Sequence, residues 1–240
     1  MQQFIGKMSR MYPLLIVMGF MMVAIAFVVG YFNSQAAASY FSQPKVLRET
    51  TLLAERAAIE SIDLWLPYFK FLGIGLILGG IVMALRVIID RLRGAGEEVL
   101  ENLPAKIRPA LPSPPWYAPM MPMIMVLGLL IYIVALIVAL GSAADARALF
   151  ANPIPAIDAA GAGTALLATL SGIKATSAWL VPLKFFGTAT EFLAIAMGLS
   201  TIIWILSQQT EMIAQGIDIG RTRAKAARRE DERAPAYADN

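Results

Sequence analysis

Long apolar runs, separated by charged or proline-rich segments, dominate the pattern of this chain. Four such runs cover Pro13 to Phe32, Leu64 to Leu85, Met120 to Leu140, and Trp179 to Leu206. Each has the roughly 20 residues that an α-helix needs to cross about 30 Å of hydrocarbon at about 1.5 Å per residue. The pattern therefore predicts an all-α integral membrane protein with four transmembrane helices.

The second half of the chain repeats the first. A shift of 109 positions places Met11, Pro13, Val17, Gly19, Ala26 and Val29 on Met120, Pro122, Val126, Gly128, Ala135 and Val138. Five additional residues in the second half raise the shift to 114, which places WLPYFKFLG at 65–73 on WLVPLKFFG at 179–187. Apolar residues coincide easily, whereas proline, glycine, tryptophan and lysine do not. We interpret the match as a tandem duplication of a two-helix unit.

This duplication predicts the organisation of the chain. Because each unit crosses the membrane twice, both copies start on the same side, and an approximate twofold axis along the membrane normal should relate them. We expect a first repeat at 1–103, a proline-rich linker at 104–119, a second repeat at 120–220, and a basic and polar tail at 221–240. Residues 104–122 hold seven of the fourteen prolines, a density that opposes a regular helix.

The lysines and arginines predict an orientation. The first ten residues, the middle loop and the tail carry thirteen: Lys7, Arg10, Arg86, Arg91, Arg93, Lys106, Arg108, Arg221, Arg223, Lys225, Arg228, Arg229 and Arg233. The other two loops carry five: Lys45, Arg48, Arg56, Arg147 and Lys174. Basic residues favour the cytoplasmic side. We therefore expect both termini in the cytoplasm, with the bacterial inner membrane as the location.

The two loops on the opposite side, 33–63 and 142–178, are long and partly apolar. In the first loop, apolar and charged residues alternate at helical spacing, as in VLRETTLLAERAAIESIDLWL. This spacing predicts amphipathic helices that pack near the bilayer surface or contact another subunit.

The composition excludes several kinds of chemistry. The chain has no cysteine and no histidine, so disulfides, thiolate chemistry and metal sites built on imidazole or thiolate are excluded. We find no nucleotide-binding loop, no nucleophile motif and no close carboxylate pair within a span. We therefore expect neither enzymatic activity nor a cofactor. The basic tail lacks the interleaved aromatic residues that stack on bases, so we expect lipid rather than nucleic acid beside it.

Lys70 and Lys184 occupy equivalent positions, each five residues after a tryptophan. If the tryptophans mark the membrane interface, the lysines lie about 7.5 Å deeper along a helix. Three explanations remain open. Each ammonium group reaches back to the headgroups, the two converge on an anion or carboxylate, or they form salt bridges between subunits.

Glu191 breaks the repeat, because the equivalent residue of the first copy is Ile77. It follows Trp179 by twelve residues, about 18 Å along a helix, which is beyond the bilayer centre. An ionised carboxylate at that depth costs several kcal/mol unless it is paired or hydrated. Two explanations remain open: a polar contact that fixes helix packing, and a role in moving an ion or substrate.

Two functions fit these observations. One is a non-catalytic accessory subunit that packs against other membrane proteins and stabilises or organises a larger complex. The alternative is a small transporter or channel, with a pathway lined by Lys70, Lys184 and Glu191. Since four helices are few for a monomeric pathway, the alternative predicts a homo-oligomer.

Overall fold

A computed structural model describes residues 11–101 and 113–233, and these residues form helices and turns but no strand. The helices of the two described ranges are α1 Tyr12–Ser42, α2 Lys45–Thr50, α3 Leu53–Glu101, α4 Met121–Phe150, α5 Ile154–Asp158 and α6 Ala165–Arg233. Helices α1, α3, α4 and α6 are each long and apolar enough to cross a membrane. The prediction of an all-α chain with four such helices is confirmed.

The long helices continue well beyond the apolar runs. Helix α3 has 49 residues and α6 has 69, or about 70 and 100 Å at about 1.5 Å per residue. The amphipathic stretch predicted before the second span forms the first turns of α3, and the loops on that side also contain the short helices α2 and α5. Residues 104–112 of the predicted proline-rich linker, the first ten residues with Lys7 and Arg10, and the last residues, at 234–240, lie outside the described ranges.

Helix α3 lies at the centre of the bundle. It packs against α1, α4 and α6, while α4 also packs against α6. Glycines on two faces of α3 permit this arrangement. Gly73 and Gly80 lie against α1, and Gly75 and Gly79 lie against α4. Since glycine has no β-carbon, both neighbouring helices can approach the α3 backbone closely.

Buried side chains form three clusters along the bundle. One, around Met83, Met121 and Met125, lies towards the end that contains the start of α1, and we call that end the terminal end. A second surrounds Tyr68 and Leu180 near the middle. The third includes Leu149 and lies at the opposite end, the loop end, which contains α2 and α5.

Large apolar side chains cover the outside of the bundle. On α1, Phe20, Phe27 and Phe32 are all exposed. The same helix buries one narrow stripe only, formed by Gly19, Ala26, Asn33 and Tyr40. An apolar exterior of this kind suits contact with lipid or with other membrane helices.

Candidate functional site

Tyr132 of α4 forms the centre of contact between three helices. Its side chain is fully buried, and its ring lies between Gly75 of α3 and Gly187 of α6. A β-carbon added to Gly75 would come 2.5 Å from this ring, and one added to Gly187 would come 3.1 Å from it. The Tyr132 hydroxyl donates a hydrogen bond to Thr188 Oγ1 at 2.8 Å. The two glycines thus provide the space that the tyrosine fills.

Glu191 lies one turn further along α6 and is completely buried, with 0% of its surface exposed. Its side chain lies against Gly128 of α4, where an added β-carbon would come 2.8 Å from Glu191 Oε1. Neither carboxylate oxygen has a hydrogen-bond partner within the described residues. Glu191 therefore makes a close packing contact in which no described residue acts as a polar partner.

This environment limits the chemistry of the carboxyl group. An unpaired anion inside the bilayer costs several kcal/mol, whereas an uncharged acid or amide of similar shape costs less. In the described part of the chain, Lys184 forms no ion pair with Glu191. Any transfer of a proton or ion to Glu191 therefore needs water or a movement of α4 against α6.

The two equivalent lysines have different surroundings. Lys70 is exposed on α3. The Lys184 Nζ lies over three aromatic rings, at 5.6 Å from the centre of Tyr68, 5.0 Å from that of Phe71 and 5.4 Å from that of Phe185. An ammonium group at such distances is attracted by the ring faces. The Lys184 side chain therefore lies against aromatic rings of both α3 and its own helix, α6.

Besides the Tyr132–Thr188 bond, two further polar contacts between long helices were missing from the sequence predictions. Asn33 of α1 donates a hydrogen bond from Nδ2 to Asp63 Oδ1 at 2.8 Å. Gln209 of α6 donates one from Nε2 to the Leu92 carbonyl at 3.1 Å. The seven-residue spacing of the buried stripe on α1 could have identified Asn33 as inward-facing. No comparable signal identifies Gln209.

Among the described residues, the side chains that could bind a metal ion are not grouped into one site. Across residues 11–101 and 113–233, no cluster of three or more histidine, cysteine, aspartate or glutamate side chains has the arrangement of a metal site. The buried polar groups described above are instead single residues or pairs.

Comparison with protein-family models, curated proteins and solved structures finds no match for this chain. Its function must therefore be inferred from the packing and chemistry of its own residues.

Proposed function

We propose that this chain is a non-catalytic subunit of a larger membrane complex, located in the bacterial inner membrane, which it stabilises or organises. The observation that carries the proposal is the continuity of α3 and α6 from the apolar segments to the terminal end. There, Ile89 and Ile205 belong to one buried cluster, and Gln209 bonds to the Leu92 carbonyl. Two long helices fixed to each other provide a rigid surface on which other subunits can dock.

The proposed orientation places both termini and the terminal end in the cytoplasm, as the distribution of lysine and arginine favours. In this orientation, α6 carries the basic residues of 221–233 away from the membrane as a helix. Labelling of single cysteines introduced at Arg221 and Arg147 in intact cells tests this. Only the cysteine at 147 should react with an impermeant reagent.

The proposal includes a tandem repeat of two hairpins, α1 with α3 and α4 with α6. The buried stripe of α1 at 19, 26, 33 and 40 corresponds, after the shift of 109, to positions 128, 135, 142 and 149, which are all buried in α4. Gly73 lies against Met22 and Val23, and its equivalent Gly187 lies against their equivalents Ile131 and Tyr132. These matches support one packing register in both hairpins.

An approximate twofold axis along the membrane normal would exchange the hairpins. The direct contact between α3 and α6 suits such an axis, because the axis exchanges these two helices with each other. It would also exchange the pair α3 and α4 with the pair α6 and α1. The former pair is closely packed and the latter is not among the main contacts. We therefore propose repeated hairpins whose mutual arrangement departs from ideal symmetry.

Subunit composition tests the proposed role. Purification from native membranes in a mild detergent, followed by native mass spectrometry, should recover a defined complex with other membrane proteins. Glu191→Gln should remain in this complex, because the carboxyl group makes no hydrogen bond to residues 11–101 or 113–233 that the change would remove. Recovery of this chain only as a homo-oligomer would contradict the subunit proposal.

One observation favours the second candidate, a small oligomeric transporter or channel. Glu191 is buried and has no hydrogen-bond partner in the part of the chain that the structure describes, and buried carboxyl groups inside membranes often belong to ion or proton pathways. Such a function predicts ion flux in reconstituted vesicles that Glu191→Gln abolishes. A matched Thr190→Val variant should retain the flux. Absence of flux from wild-type vesicles would exclude this candidate.

A further inference from the structure

A small cavity lies at the loop end, where the last turns of α1 meet α2 and the first turns of α3. Its volume is about 160 Å³, below the roughly 300–1,000 Å³ typical of sites for drug-sized ligands. The charged side chains of its lining are Lys45, Arg48, Glu49, Arg56 and Glu60. Because three are basic and two are acidic, the lining has a net positive charge. Its size and charge suit a small anionic group.

Two arginines of this lining have a guanidinium N–H group that no described residue accepts from. The Arg48 Nε and one Nη of Arg56 are shielded from solvent and have no hydrogen-bond partner within the described residues. Most buried polar groups in folded proteins are hydrogen-bonded. Because both arginines line the same cavity, their unpaired N–H groups are available to a hydrogen-bond acceptor bound there.

The acidic residues of the cavity do not supply this acceptor. The closest approach of Arg56 to Glu60 is 3.9 Å, and that of Lys45 to Glu49 is 3.6 Å. Both distances exceed the roughly 2.7–3.2 Å of N–H···O hydrogen bonds. These contacts are ion pairs without hydrogen bonds, and Arg48 forms no ion pair within the described residues, so N–H donors remain for another anion.

Aromatic rings hold the two guanidinium groups in place. The Arg48 guanidinium lies 5.4 Å from the centre of the Phe41 ring, and that of Arg56 lies 4.6 Å from the centre of the Phe150 ring. The Tyr40 hydroxyl also donates a hydrogen bond to the Arg48 carbonyl at 3.1 Å. A site whose side chains are already positioned loses less entropy when its ligand binds.

The position along the helices places the cavity near the membrane surface. Phe41 lies nine residues beyond Phe32, the last residue of the first apolar run, and Arg56 lies nine residues before Trp65. Tryptophan is enriched at the membrane interface. The cavity is therefore at a level that lipid headgroups and dissolved anions both reach.

We infer that this cavity binds a phosphate group, held by Arg48 and Arg56 with support from Lys45. Guanidinium groups form paired, charge-assisted hydrogen bonds with phosphate oxygens. The phosphate is carried by an anionic lipid headgroup or is free in solution, and the chemistry of recognition is the same. This inference goes beyond the proposed function and does not depend on it.

Lipid and phosphate binding to the full-length protein in mild detergent tests the inference. Phosphatidylglycerol and phosphatidylcholine are titrated separately, and bound lipid is counted by native mass spectrometry; radiolabelled inorganic phosphate is measured by equilibrium dialysis. The test variant is Arg48→Gln with Arg56→Gln. The matched control is Arg147→Gln with Lys174→Gln, which removes the same charge from two exposed residues in the other loop on this side.

We expect one phosphatidylglycerol or one phosphate per chain, and binding about tenfold weaker or worse in the test variant, with little change in the control. Binding of phosphate alone identifies a dissolved ligand, and binding of the lipid alone identifies a headgroup. Arg48→Lys, which keeps the charge but lacks the fork of donors, should show an intermediate loss. Equal binding by wild type and test variant, or equal loss in test variant and control, would overturn the inference.

Discussion

The two hairpins of the proposed repeat make corresponding packing contacts, but the residues at one of those contacts differ in polarity. In the first, Gly19 of α1 lies against Ile77 of α3. In the second, the equivalent Gly128 of α4 lies against Glu191 of α6. The helices meet at the same positions, and an aliphatic side chain in one hairpin is replaced by a carboxyl group in the other. The backbone arrangement therefore tolerates a change of polarity at its closest contact.

The hydrogen bonds between the helices lie at different levels in the two hairpins. In the first hairpin, the bond between Asn33 and Asp63 lies at the edge of the apolar runs. In the second, the bond between Tyr132 and Thr188 lies well inside them. The residues equivalent to Tyr132 and Thr188 in the first hairpin, at 23 and 74, are valine and isoleucine. Of these two hydrogen bonds, only the one in the second hairpin lies inside the apolar runs, so a specialised function should depend on that hairpin.

The largest expected effect comes from exchanging the residue types at the equivalent positions 77 and 191. Ile77→Glu introduces a carboxyl group at a contact without a polar partner, so we expect a loss of about 3 kcal/mol in the free energy of unfolding. The reciprocal Glu191→Ile should be neutral or stabilising by about 1 kcal/mol, since it removes an unpaired polar group. Denaturant titration in mild detergent measures both. A strong loss of stability in Glu191→Ile would show that the carboxyl group has a stabilising partner.

A second effect follows from the space that Tyr132 occupies. The leucine side chain of Gly75→Leu would overlap with the Tyr132 ring. We therefore expect a loss of about 2–3 kcal/mol in the free energy of unfolding. Gly141→Leu is the matched control, because nothing lies within 4 Å of a β-carbon added there. Thermal unfolding followed by circular dichroism compares the two variants. Similar stability of the two variants would contradict a Tyr132 ring packed against Gly75.

A smaller effect distinguishes the two closest contacts. In Gly19→Ala the new methyl group meets the Gly73 backbone carbonyl, whereas in Gly128→Ala it meets the Glu191 side chain. A side chain can move more easily than a backbone, so we expect about 2 kcal/mol of destabilisation for Gly19→Ala and about 1 kcal/mol for Gly128→Ala. The same unfolding measurements apply. The reverse order would indicate that Glu191 is held rigidly.

The smallest effect concerns the hydrogen bond in the second hairpin. Tyr132→Phe removes the donor to Thr188 and keeps the ring, so we expect a loss of about 0.6–1 kcal/mol in the free energy of unfolding. Thr188→Val should cost a similar amount, and the double variant should cost little more than either, because both remove the same bond. Full additivity in this double-mutant cycle would mean that the bond contributes nothing.

The sequence predicted part of this structure for clear physical reasons. Apolar runs long enough for a bilayer identified the four long helices, and the break at Glu191 identified an unusual buried group. The partners of Tyr132 and Asn33 were not predicted, because hydropathy does not determine which helices face each other. The cavity around Arg48 and Arg56 was missed for another reason: it depends on where α1 ends and α3 begins, and charged loop residues do not determine those boundaries.

The shared packing register of the hairpins is tested most directly by cysteine cross-linking, since the natural chain contains no cysteine. Cysteines at Asn33 and Asp63 replace a hydrogen-bonded pair, and in the proposed repeat Ser142 and Ser177 are their equivalents. A short thiol-specific cross-linker should join both pairs with similar yield and should leave a control pair at Ser142 and Ala178 unlinked. Linkage of the first pair and the control, without linkage of Ser142 to Ser177, would contradict a common register.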